Sequence, residues 1–228
     1  SFMYGKIVSL NIGKPQMINF EGQGIETGIF KRAVNQPIFL TRLHFEGDGQ
    51  ADLIHHGGVD KAVCVYCFEH YPYWEQVLGR TLEPGAFGEN LTVTGLPEQE
   101  VCIGDIFQLG EALVQVTQPR RPCHKLAKRY AHKELPVQVQ DTGYTGYYLR
   151  VLREGMVSPR DTIKLVERHP RSISVAHANK LMYHDRDNRE AIERMLTVEA
   201  LSASWRNTFQ KRLAGIAEDE RLRLEGQQ

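Results

Sequence analysis

Residues 103–126 read IGDIFQLGEALVQVTQPRRPCHKL, and the fold turns on how this stretch is understood. Two apolar runs, IFQL and ALVQV, flank Gly110-Glu111, which predicts a β-hairpin turning at that pair. The second strand runs on into Pro119 and Pro122, whose rings restrict the chain on both sides of Arg120 and Arg121. Cys123 follows at once, with His124 and Lys125 behind it and Lys128 and Arg129 a turn later. A strand therefore delivers one thiol into a stiffened, cationic loop, from which CHKLAKRYAHKEL predicts a helix.

Outward from this hairpin the chain keeps the same texture. GKIVSLNIG, QPIFLTRL, KAVCVYCF, ENLTVTG, GYYLRVL and DTIKLVER each read as short strands, and EHYPYWEQVLG as an intervening helix. Short strands at close spacing, punctuated by glycine and proline, predict a barrel rather than alternating βαβ units. After Pro170 the period changes. SISVAHANKLMYH sets Val175, Ala178, Leu181 and Met182 on one helical face; DNREAIERMLT opens on a capping Asp187 or Asn188 and gathers Ile192, Met195 and Leu196. VEALSASWRNTFQKRLAG aligns Leu201, Trp205, Phe209 and Leu213 before stopping at Gly215. The expectation is α+β, mainly β: a barrel domain over residues 1–168 and a three-helix module over 169–228. So small a module needs to dock on the barrel to be stable.

Composition sets wide bounds. The 228 residues are 41% hydrophobic and 25% charged, enough for a real core. Lysines and arginines balance the acidic residues at 28 each, so bulk attraction to a nucleic-acid polymer or to an anionic membrane is not expected. No apolar run is long enough to span a bilayer and no signal-like segment opens the chain, so a cytoplasmic protein with reduced cysteines is expected.

Of the four cysteines, Cys64 and Cys67 form a C-x-x-C inside KAVCVYCF. Residues three apart on a strand point to opposite faces, so the two sulfurs cannot share one ion, and core packing is the expectation for both. Cys102, among apolar neighbours, reads the same way. Cys123 differs, because neighbouring cations favour a thiolate and arginine holds phosphate or carboxylate in a fixed orientation. A merely solvated basic loop is the bland alternative.

Two further stretches carry chemistry. In GDGQADLIHHGGVDKAV, His55 and His56 lack the i, i+4 spacing of a zinc helix, whereas Gly57 and Gly58 bring backbone amides close to a ligand, with Lys61 nearby. A plain turn before a buried strand is the alternative. In GAFGENLTVTG, Glu89 and Asn90 follow a glycine turn at a strand mouth, again either a site or a turn.

With these motifs assembled, the chain resembles the MOSC-domain family and within it the YiiM-like, hydroxylaminopurine-resistance branch. The residues that carry the likeness are EGDGQADLIHHGGVDKAV, FGENLT, GDIFQLGEALVQVTQPRRPCHKL and the trailing helices. The resemblance implies a MOSC-type β-barrel with peripheral helices. It also implies reduction of N-hydroxylated bases, hydroxylaminopurine to adenine, on a molybdenum cofactor (molybdopterin), and it admits pyridoxal phosphate as a ligand class. Cys123 falls on the family's cysteine, implied to ligate molybdenum, and Arg120 on the motif arginine. Arg121 falls on a variable position, and Lys125 on the motif lysine. His55, His56, Gly57, Gly58 and Lys61 match the glycine-rich loop, and Glu89 and Asn90 the FGEN turn. His55, His56 or Glu89 could then relay protons. Where the family often carries Gly-Asp, this chain has Arg160 before Asp161. The absence of a Cys₄ pattern implies a separate flavin or iron–sulfur electron donor, and a homodimer is admissible. Two other classes stay open: a module that carries sulfur as a Cys123 persulfide or binds the cofactor without turnover, and, far less well supported, a cysteine hydrolase.

Overall fold

The computed structural model describes residues 3–14, 16–20, 23–27, 30–49, 58–216 and 224–225, with backbone only over 16–20 and 23–27. In chain order the strands are β1 (Tyr4–Ile12), β2 (Gln16–Phe20), β3 (Gln23–Thr27), β4 (Arg32–Ala33), β5 (Ile38–Leu40), β6 (Val63–Cys67), β7 (Leu91–Thr94), β8 (Ile106–Leu109), β9 (Ala112–Pro119), β10 (Tyr147–Arg153), β11 (Gly155–Val157) and β12 (Thr162–Glu167). The helices are α1 (Tyr71–Leu78), α2 (His124–Tyr130), α3 (Leu135–Thr142), α4 (Val175–Tyr183), α5 (Arg189–Leu196) and α6 (Ala203–Leu213).

Seven strands close a barrel in the order β12, β8, β9, β10, β6, β7, β1, and β1 returns to β12 through Tyr4↔Lys164 and Gly5↔Ile163. Every neighbouring pair is antiparallel except β6 and β7, which run parallel (Val65↔Leu91) and are joined by the crossover containing α1. The hairpin at Gly110-Glu111 is present as β8–β9, closing at Leu109↔Ala112. Closure leaves few free edges, so the short strands need no long pairing partners.

β6 is buried along its whole length, yet its two faces differ. Val63, Val65 and Cys67 join the main apolar cluster with Leu91, Val93, Val116 and Leu149. Tyr66, on the other face, packs in a second cluster with Trp74, Phe87 and Leu126, beneath α1 and α2. The expected helix from Cys123 onward ends early. Ala131 takes a left-handed φ of 50°, and a separate α3 follows with proline in its first turn.

The C-terminal helices form as expected, with Ser174, Asn188 and Ser202 capping α4, α5 and α6 through their side chains. They do not stand apart. Val175, Met182, Trp205 and Phe209 belong to the same apolar cluster as the barrel interior. Ser202 N–H donates to Thr117 O at 3.0 Å and Ser204 Oγ to Gln118 Oε1 at 3.1 Å, so the module grips the strand that leads into the cysteine loop. Truncating the fully buried Trp205 to alanine would cost about 3–5 kcal/mol and loosen that grip. Among the described residues no helix is long and apolar enough to cross a membrane.

Candidate functional site

The site grows from the end of β9. Gln118 and Tyr148 are cross-strand partners, as are Tyr148 and Cys64, so the face of β9–β10–β6 opposite the apolar interior presents Tyr148 and Cys64 to the cysteine loop. Arg120 N–H donates to Gly146 O at 3.1 Å, which ties the loop to the start of β10. Its guanidinium Nη1 donates to the carbonyl of Phe87 in the GAFGEN turn, and Tyr130 Oη donates to Ala86 O of that turn at 2.5 Å. Two motifs far apart in sequence therefore meet through main-chain carbonyls.

Arg120 and Cys123 are both buried, at 7% and 6% exposure. Burial works against a charge on Arg120. The surrounding Cys64, Tyr148, Cys123 and Glu89 outweigh it, so its pKa is raised and the guanidinium stays charged. Nε of Arg120 is buried with no hydrogen-bond partner among the described residues. Lys61 enters from the other side. It closes a 3₁₀ turn (Val59–Lys61) behind Gly58, and its Nζ lies 6.0 Å from the centre of the Tyr148 ring. Gly58 is exposed, at φ 91°. Asp60 in the same turn accepts from Arg150 Nη2 at 2.7 Å and from Ala203 N–H at 2.9 Å, fastening the turn to α6.

Cys64 was expected to be core packing. It is buried but stands outside the apolar interior and next to Arg120, and burial pushes its thiol up to about 11 against the opposing pull of that arginine. Cys64 and Tyr148 are the site residues the motifs did not single out. Strand alternation, which sets Cys64 apart from Val63, Val65 and Cys67, was the available signal. Cys67 does join the interior, as expected, and Cys102 is buried near the Asp105 turn, whose carboxylate accepts from Cys102 N–H at 2.9 Å.

The FGEN residues sit deeper than a ligand contact requires. Glu89 is fully buried, and its carboxylate accepts from Tyr71 Oη (2.5 Å), Thr92 Oγ1 (2.9 Å) and Phe87 N–H (2.9 Å). Burial and this carboxylate both raise the Tyr71 pKa, so the phenol remains a neutral donor. Asn90 is equally buried. Its Oδ1 accepts from Cys64 N–H, and its Nδ2 donates to Asp48 Oδ2 at 2.8 Å. Asp48 in turn pairs with buried Lys31 at 2.8 Å. These groups brace the wall behind Cys64 and Arg120 and do not reach into an opening. Arg121 lies with its guanidinium 6.0 Å from the Tyr183 ring, engaged with the helical module, and Lys125 is half-buried on the first turn of α2. His55, His56 and Gly57 fall outside the described residues. A cavity of about 620 Å³ lies elsewhere, in the module, lined by Arg189, Ile192, Lys211 and Leu213 among others.

Comparison with known proteins agrees with this architecture. The "MOSC domain" family model matches residues 52–164, and the "YiiM-like, 3-alpha helix domain" model matches residues 173–215. The chain is 58% identical to the Bacillus subtilis protein YflK over 90% of its own length and 93% of that protein. It is 39% identical to Protein YiiM of Escherichia coli over 97% and 96% of the two chains. A Gibberella moniliformis protein named "Reductase" is 36% identical over 71% of this chain, which amounts to 29% of that longer protein. The crystal structure of YiiM from Geobacillus stearothermophilus superimposes with a TM-score of 0.79 at 45% identity, covering 92% of this chain and 99% of that one. Nothing in these relatives supports pyridoxal phosphate.

Proposed function

The chain belongs to the YiiM-like branch of the MOSC-domain family, and from that premise we propose that it reduces N-hydroxylated nucleobases such as hydroxylaminopurine, using molybdenum cofactor. The observation that carries this reading is the buried pairing of Arg120 with Cys123, in which Arg120 Nε has no partner among the described residues. A buried guanidinium N–H without an acceptor is costly unless a ligand supplies one, and phosphate is the acceptor its geometry suits. A thiol beside it is the soft donor that molybdenum accepts. The residues therefore fit the cofactor: Cys123 would ligate the metal, and Arg120, Lys61 and the Gly57-Gly58 amides would hold the phosphate. Arg121 and Lys125 add positive charge around them.

When bound, the cofactor would supply a two-electron reductant that accepts the oxygen of an N–OH group. The overall change, R–NHOH plus two electrons and two protons giving R–NH₂ plus water, leaves the chain three tasks. Arg120 and Cys123, which stand beside the wall made by Cys64 and Tyr148, would hold the cofactor. The closed packing of Glu89 and Asn90 keeps that wall rigid and dry. Proton delivery falls to His55 or His56, because imidazole is the side chain that exchanges protons near neutrality; the saturated carboxylate of Glu89 is the poorer relay. Electrons come from a separate flavin or iron–sulfur protein. The Gibberella relative named a reductase, of which this region is under a third, supports such a division of labour.

The test is direct. Freshly isolated protein should contain molybdenum and pterin and, with a reduced donor, convert hydroxylaminopurine to adenine. Cys123→Ser should abolish turnover and Cys102→Ser should retain it. Full turnover by protein from a host that cannot make the cofactor would overturn the proposal. Cyanide-releasable sulfur on Cys123 without turnover would instead favour a sulfur carrier.

A further inference from the structure

A second group of potential ligands lies away from the cysteine loop. β6 ends at Cys67 and passes into a 3₁₀ turn, Phe68–His70, so the chain bends where the strand stops. That bend gathers Cys67 and His70, three apart in sequence, at the carboxylate of Glu98. His70 Nε2 is 2.8 Å from Glu98 Oε1, Cys67 Sγ is 3.5 Å from the same oxygen, and Cys67 Sγ is 3.4 Å from the carbonyl oxygen of Leu96. All three side chains are buried, and their ligand atoms lie within 4.8 Å of one another.

We infer that Cys67, His70 and Glu98, with Leu96 O as fourth donor, form a buried structural zinc site. Thiolate, imidazole and carboxylate are the donors zinc takes, and a closed shell without an open position marks a structural rather than a catalytic ion. Bond lengths of about 2.0–2.3 Å place tetrahedral donors about 3.3–3.5 Å apart. The two sulfur–oxygen separations already match that spacing, and the His70–Glu98 pair needs to open by only about 0.5 Å to reach it. Charge balances as well. Binding through Cys67 as a thiolate releases its thiol proton, while Glu98 as a carboxylate and His70 as a neutral imidazole, carrying its one N–H on Nδ1, release none. A dication then faces one thiolate, one carboxylate and a neutral imidazole, which is net neutral in an apolar interior.

Other contacts hold the donors in place. Glu98 Oε2 accepts from Gly146 N–H at 2.9 Å, and the Glu98 carbonyl accepts from Ala176 N–H at 2.9 Å on α4. Tyr147 Oη donates to Leu96 O at 3.0 Å, and Tyr144 stacks on the His70 ring at 4.0 Å. Such outer contacts orient metal ligands. The ion would join β6, β10 and the helical module at one point.

The experiment uses the full-length protein, expressed with zinc supplied and assayed for metal by mass spectrometry, then unfolded in chelator and refolded with Co²⁺. One zinc per chain and a thiolate-to-cobalt charge-transfer band are expected, with both retained in Cys123→Ala and both lost in Cys67→Ser. Refolding with zinc should raise the thermal midpoint above that of the metal-stripped protein. If Cys67→Ser does not fold, the wild type still decides: no zinc after expression, no cobalt band and no midpoint shift overturn the site. Retention of zinc by folded Cys67→Ser does so equally. None of these readouts depends on molybdenum or on turnover.

Discussion

Asn90 and Cys64 clasp each other: Cys64 N–H donates to Asn90 Oδ1 at 2.9 Å, and Asn90 N–H donates to Cys64 O at 2.9 Å. The asparagine of FGEN thus acts on the strand behind the site through two hydrogen bonds, one made by its side chain and one by its main chain. Its remaining donor reaches Asp48, whose other oxygen holds Lys31, so one asparagine closes a buried chain of four residues.

Asn90→Ala should therefore destabilise the protein by about 2–4 kcal/mol, because Cys64 N–H and Asp48 lose partners inside the fold. Asn90→Asp should be worse, since it sets a carboxylate against that of Asp48 in a buried place. Denaturant midpoints of the two variants order them. Equal midpoints for Asp and wild type would remove the clasp from the account.

Arg120 is where stability and function separate. Arg120→Lys keeps a charge but not the planar fork that serves Phe87 O and leaves Nε available. The lysine variant should fold with a loss of about 1–2 kcal/mol and isolate with at least tenfold less bound cofactor. Molybdenum per chain, measured beside circular dichroism, reads both effects. Cofactor content unchanged in the lysine variant would mean that Arg120 serves the fold alone.

Gly146 joins the two sites described above, with its N–H on Glu98 and its carbonyl on Arg120. Its φ of 69° lies in the left-handed region, and an added Cβ would collide with Val65 O. Gly146→Ala should cost upwards of about 2 kcal/mol and weaken cofactor retention as well, visible as a lowered thermal midpoint and a lowered molybdenum content in one preparation.

How far the sequence foretold this arrangement depended on whether the deciding force was local. The β8–β9 hairpin, the strands of the barrel and the Asn188 cap were legible, because alternation, a turn pair and a capping side chain act within a few residues. The β2–β3 hairpin was not, since QMINF and QGIET lack clean alternation. Neither was the end of α2, because Ala131 adopts a glycine-like φ without being glycine. In the site, Arg120 and Cys123 announced themselves by charge and proline. Lys31, Asp48 and Tyr148 gave no signal, for their partners are distant in the chain and only barrel closure brings them together. Cys67 was read as core packing and His70 as part of the helix that follows, because Glu98, which meets both, is distant in the chain.

The Cys64 thiol offers a pH-dependent test of the buried wall. Its pKa is pushed from 9.0 in the unfolded chain to about 11 in the fold, chiefly by burial, with Arg120 pulling the other way. Below pH 9 the thiol is protonated in both states, and its contribution to stability is fully present. Between 9 and 11 the unfolded chain gives up the proton first, so unfolding releases a proton and stability falls as pH rises. Above about 11 the contribution is gone, a loss on the order of 2–3 kcal/mol. Serine at this position cannot titrate in that range. The difference in denaturation free energy between wild type and Cys64→Ser should therefore shift against wild type from pH 8.5 to 10.5, which spans roughly three quarters of that window. Tyrosines that ionise over the same range cancel in the comparison. Parallel curves for the two proteins would show that Cys64 is open to solvent and that the wall behind Arg120 is not sealed.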